Sequence, residues 1–238
     1  MTRLIFAFAV FVLAAPFASA TVFLGNANSG FGGVLGTGML DFTNTSTVLD
    51  GKFTRGAGDL NDAAVIYIDS QAGGFTSTAS FDDAGDELRQ AISGFDGASR
   101  STVNFASGFD ADFAIAFDQG FAGLWQLSGT GMHTFVADGV LSPTDDATAT
   151  MHTFSFDLSD FGVAPGDSFD FVGTYLNPDG AFRSNEAIGT GLETFAQGAN
   201  VATFTGSETF NVTAVPEPTA GVLLLCIGGV LGVRRRRS

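Results

Sequence analysis

Ala63-Ala64-Val65-Ile66-Tyr67-Ile68-Asp69 is the most continuously apolar run between the two ends of this chain, and its reading decides the fold. A run of seven residues is too short for a stable helix and is rich in the β-branched and aromatic residues that strands favour, so it predicts a strand placed centrally in a sheet. Its neighbours alternate instead. Val34–Phe42 and Thr47–Phe53 read as the strands before it, the second interrupted or turned at Asp50-Gly51. After the turn at Gly73-Gly74, Phe75-Thr76-Ser77-Thr78-Ala79-Ser80-Phe81 puts Phe75, Ser77, Ala79 and Phe81 on one face, the pattern of a half-buried strand.

Asp83–Ile92 is the one helix candidate. Asp82 or Asp83 is placed to cap it, acidic residues occupy its first turn, and Leu88, Ala91 and Ile92 form an apolar stripe that ends at Ser93-Gly94. Further strands are expected at Thr102–Ala106, Ala111–Asp118, Phe121–Leu127, Met132–Ala137, Ala149–Leu158, Ser168–Thr174 and Val201–Thr213. Gly-, Pro- and Asp-containing turns separate them at residues 118–120, 138–139, 164–167 and 177–180. Many short strands at this spacing predict an all-β fold, a β-sandwich or jelly roll with one short helix.

Phenylalanine supplies the core. Of 26 in the chain, 22 lie beyond the first 20 residues, and each one fully buried contributes roughly 1.5 to 3 kcal/mol. The single cysteine, Cys226, lies near the C-terminus, so the domain must hold together by burial without disulfides. Five of the 10 basic residues and 24 of the 25 acidic ones fall between 21 and 215, a net charge of −19 for that part. Such a surface repels phosphate backbones and excludes nucleic acid as a partner.

The two ends carry addresses. Met1-Thr2-Arg3, an apolar stretch from Leu4 to Leu13 and the small-residue triplet Ala18-Ser19-Ala20 form a secretory signal peptide, residues 1–20, with cleavage expected after Ala20. At the other end, residues 214–238 hold Val215-Pro216-Glu217-Pro218, an apolar run from Thr219 to Val233 and the cluster Arg234, Arg235, Arg236 and Arg237. Pro216 and Pro218 keep the backbone extended and easy to seat in a processing enzyme. As a helix the run spans roughly 22 Å at about 1.5 Å per residue, against a hydrocarbon core of about 30 Å. A transient membrane helix stopped by arginines fits that length; snorkelling arginines and a thinned bilayer leave a retained anchor open. Residues 21–213 are the single working domain between them.

In motif, order and position this tail resembles the PEP-CTERM sorting signal of Gram-negative and related bacteria. The resemblance implies an exported protein processed by an exosortase-type enzyme, anchored in the membrane during sorting and associated with extracellular polysaccharide. The segments 62–81, 105–127 and 154–188 also look like ectodomains found ahead of such tails, for which the resemblance implies no reaction.

Candidate chemistry in the domain is sparse. The only histidines, His133 and His152, each sit in Met-His-Thr-Phe, which predicts two strands that pair or stack with the histidines at their edges. No Gly-x-Ser-x-Gly occurs, and with so many carboxylates no glycosidase pair is singled out. No cofactor is expected. Calcium suits the residues better than zinc, through Asp82, Asp83, Asp86 and Glu87 or Asp110, Asp112 and Asp118; helix capping and solvated strand ends are the competing uses. Trp125 with Tyr67 and Tyr175 offers a sugar-stacking platform, against core packing for Trp125 in its apolar strand. Arg183 and Glu186 read as a local surface pair. The expectation is a non-enzymatic surface or matrix protein, structural or adhesive in an exopolysaccharide matrix; the alternative is a carbohydrate-binding module, calcium-dependent in one version, and a secreted hydrolase stands third.

Overall fold

The computed structural model describes residues 20–214 apart from 197 and 199. In chain order come β1 (Thr21–Leu24), β2 (Met39–Asn44), β3 (Val48–Thr54), β4 (Ala63–Asp69) and the helix α1 (Glu87–Ser93). Then follow β5 (Thr102–Asn104), β6 (Phe113–Phe117), β7 (Ala122–Gln126), β8 (Thr134–Asp138) and β9 (Met151–Asp157). The chain continues through β10 (Ser168–Asn177), β11 (Phe182–Ile188), β12 (Val201–Thr203) and β13 (Glu208–Asn211). The all-β expectation holds: antiparallel sheets dominate, and α1 is the one α-helix among the described residues.

One sheet has the order β1-β2-β3-β9; the larger has the order β11-β10-β4-β6-β7-β8, with β13 also on β10. β4 is central, as its composition predicts, because it is buried on both faces. Ala64, Ile66 and Ile68 join Phe113, Ile115 and Phe117 of β6 in a core shared with the smaller sheet, where Phe42, Phe53, Phe154 and Phe156 meet them. Ala63, Val65 and Tyr67 point the other way, into a second core closed by α1, by Val103 of β5, which pairs in parallel with β12, and by Phe81, Phe105, Phe109 and Phe204. The larger sheet is therefore a middle layer, and a strand wet on neither face has no reason to alternate.

Both lateral edges are stitched. Beside β1, Asn26 N donates to Ala187 O (3.0 Å), and Gly25 bridges Ile188 of β11. On the opposite side Gly139 N donates to Ala122 O of the larger sheet while Gly139 O accepts from Ser155 N of the smaller one, each at 2.8 Å. Edge N–H and C=O groups that would otherwise template association are thus used within the chain.

Several expected elements differ. The segment expected at Thr47–Phe53 is β3, Val48–Thr54, one uninterrupted strand in register with β9, and Gly51 is not a turn residue: a Cβ there would lie 2.1 Å from the Phe154 ring that covers it. Residues 75–81 make only single bridges, Phe75 to Ala111 and Ser77 to Asn104, because both flanking phenylalanines serve the second core while the backbone bonds locally. The helix begins at Glu87. Asp86 caps it by accepting from Arg89 N (2.9 Å), and Gly94 ends it with φ of 60°, a left-handed position a glycine takes without strain.

β11 was hidden by polar letters. Arg183 and Glu186 are both 0% exposed and do not form a surface pair. Glu186 points to the loop before β2, where Oε1 accepts from Phe31 N (2.6 Å) and Gly33 N (3.2 Å), and Oε2 from Leu35 N (2.7 Å) and Gly36 N (3.1 Å). This carboxylate nest replaces the first half of the strand expected at Val34–Phe42. Arg183 donates from Nη1 to Thr174 Oγ1 (2.8 Å).

Candidate aromatic cleft beside α1

The outer face of the larger sheet carries a cleft of about 500 Å³ between the start of α1 and β7–β8. Its floor is built by two irregularities. Gly123 lacks the side chain that would strike the six-membered ring of Trp125, 2.6 Å from a Cβ built there, so Trp125 lies along the sheet over it. The β7–β8 register then slips: Leu124 faces Ala137, but Trp125 faces Phe135, leaving Val136 as the extra residue. Val136 and Ala137 both turn toward the inner core while Phe135 turns outward, which is how a bulge re-aims a side chain.

Three aromatic rings result. Trp125 and Phe135 meet edge to face at 5.6 Å, and Phe121 lies 6.2 Å from Phe135 and 6.4 Å from Trp125. Trp125 is 2% exposed and Phe135 44%, so Phe135 is the surface a ligand reaches first and Trp125 the support beneath it. The Trp125 Nε1–H has no acceptor among the described residues. Arg89 sits over the Trp125 ring, its guanidinium carbon 5.9 Å from the centroid, and pairs with Asp86 and with Asp83.

Carboxylates frame the rings. Asp86 and Glu87 stand at the helix start; Asp118 lies across the cleft, fixed by accepting from Gly120 N (2.6 Å) and Phe121 N (2.8 Å) through Oδ1 alone. Apolar ring faces beside fixed hydrogen-bond acceptors match a pyranose, which has an apolar C–H face and hydroxyls around its rim.

The aromatic trio differs from the one the sequence suggests. Trp125 is in the cleft, but Tyr67 and Tyr175 are fully buried in opposite cores. Tyr67 donates to Ile92 O (2.7 Å), and Tyr175 accepts from Asp62 N (3.0 Å) with burial pushing its hydroxyl pKa upward. Phe121 and Phe135, which sequence reasoning missed, take their place; the bulge that presents Phe135 leaves no mark in the alternation.

The histidines do lie at strand edges, His133 just ahead of β8 and His152 in β9, each the last strand of its sheet, but both are buried, and the two strands belong to different sheets and do not pair. His133 Nδ1 accepts from Ser128 N (3.1 Å), so its proton is on Nε2, which faces Ser93 Oγ at 3.0 Å. A base toward Ser93 would need its lone pair on Nε2, so this buried pair is arranged as donor to hydroxyl. Burial holds His133 below the ordinary histidine value, opposed by Asp83. His152 is lowered for the same first reason and contacts Pro143 O (3.3 Å).

The two acidic groups are used by the backbone. Asp82 accepts from Gly131 N, Asp83 from Gly85 N and His133 N, and Asp112 from Ser70 N and Gln71 N. Asp69 accepts from Asp110 N (2.9 Å), and its own carboxyl pKa is raised by burial and by the neighbouring Asp112, Asp170 and Asp110. No three His, Cys, Asp or Glu side chains converge as a metal site among the described residues.

Ala20 is exposed just ahead of β1. Ala18, Pro216, Glu217, Pro218 and Arg234 to Arg237 lie outside the described residues, as does the apolar run between them. No helix among the described residues is long and apolar enough to cross a membrane. No protein-family model matches this chain, and no curated protein matches it.

Proposed function

We propose that this chain is an exported, non-catalytic protein of the cell surface or extracellular matrix that adheres to exopolysaccharide through the aromatic cleft. The observation that carries the binding role is the pairing of an outward-turned Phe135 with Phe121 and Trp125, framed by fixed carboxylates on a rigid sheet face. The domain reads as a β-sandwich of jelly-roll type with a third covering layer. The signal ending at Ala18-Ser19-Ala20 directs export. The PEP-CTERM-like tail, Pro216-Glu217-Pro218 with the stop at Arg234 to Arg237, hands the chain to an exosortase-type enzyme from the membrane. In the calcium-dependent version the ion bridges the acidic surface to the glycan.

Depletion binding tests this reading. The full chain, purified in mild detergent, is mixed with extracellular polysaccharide from the producing cells, with and without calcium. Saturable depletion, weakened about tenfold by Phe135→Ala, is the expected result. No depletion in either condition contradicts the adhesive role.

A further inference from the structure

We infer that the cleft takes a sugar bearing a free amine, a protonated hexosamine unit of a polysaccharide, in preference to a neutral or uronate unit; this rests on reading the cleft as a glycan site. Two facts about charge select the amine. Arg89, the one cation in the cleft among the described residues, is already paired with Asp86 and Asp83, so it is not free to receive a sugar carboxylate. Glu87 is exposed and Asp118 uses only Oδ1 on the backbone, and neither is paired with a protein cation among the described residues.

A uronate would therefore meet two uncompensated carboxylates. An ammonium would be paired by them and would lie beside the negative faces of Phe121 and Phe135. The domain's net charge of −19 acts in the same direction at longer range.

The test is calorimetric titration of the full chain with three defined tetrasaccharides: glucosamine, its fully N-acetylated form, and galacturonate, each at low and physiological salt. The amine form is expected to bind at least about tenfold tighter than the acetylated form, with no binding of the uronate. Phe135→Ala, which leaves charge unchanged, should weaken amine binding, and Glu87→Gln with Asp118→Asn should erase the preference; unchanged melting of each variant shows that it is folded. Equal or tighter binding of the acetylated form overturns the amine inference while leaving the glycan site standing. Amine binding indifferent to Phe135→Ala also overturns it, since bulk charge then accounts for the attraction. Binding of none of the three, nor of whole polysaccharide, removes the glycan reading itself.

Discussion

His133 shows how one side chain ties stability to pH. It is 1% exposed, packs edge to face on Phe81 at 5.0 Å, and is held neutral chiefly by burial. Its folded pKa lies below the unfolded value of about 6.5, so protons bind preferentially to the unfolded chain. Stability is full above about pH 6.5 and falls as the pH drops from there toward the folded value. His152 carries the same sign. Asp69 and Asp112 are raised by burial and carry the opposite sign, but they act nearer the carboxylate range. Urea unfolding at a series of pH values just below 6.5 should therefore show declining stability, with a shallower slope in His133→Gln; an unchanged slope would contradict the assignment. None of this was legible in the sequence. Met-His-Thr-Phe states a periodicity, whereas the pKa comes from burial, against Phe81 among others, and from the charges of Asp83 and Arg89, which are close only after folding.

At the scale of elements, glycine explains much of what the sequence concealed. Asp50-Gly51 has turn composition, yet Gly51 sits mid-strand because the Phe154 ring needs its missing side chain. Gly123 serves Trp125 in the same way. A glycine required by a neighbouring ring and one required by a turn are the same letter. β4 was legible because a seven-residue apolar run has few alternative uses, and α1 was legible from its stripe. β11 was not, because Arg183, Ser184 and Glu186 look solvated until Thr174 and the loop at 31–36 supply interior partners. Gly123→Ala is expected to push Trp125 off the sheet, costing about 1 to 3 kcal/mol of stability and weakening glycan binding more than total melting loss would suggest. Chemical unfolding and titration of that variant check both; wild-type values in each would show that Trp125 does not depend on the space over Gly123.

At the scale of the whole molecule, burial carries a disulfide-free domain. Phe42 alone meets Phe23, Phe169, Phe171 and Phe210 across the shared core, and the stitched edges leave few open ladders for association. The outer face near α1 carries the cleft to which we assign recognition. Composition foretold the core and the acidic surface, and the two terminal patterns motivate the proposed export route. The cleft escaped because Phe121, Trp125 and Phe135 converge through a bulge and a glycine, not through spacing. Trp125 is the chain's single tryptophan and lines that cleft, so its fluorescence reports on the site alone. The most direct measurement is Trp125 emission of the full chain during titration with glycan fragments from the surrounding matrix. A saturable change that disappears in Phe135→Ala is the predicted result; emission unmoved by saturating glycan would contradict the cleft as the place where this protein meets polysaccharide.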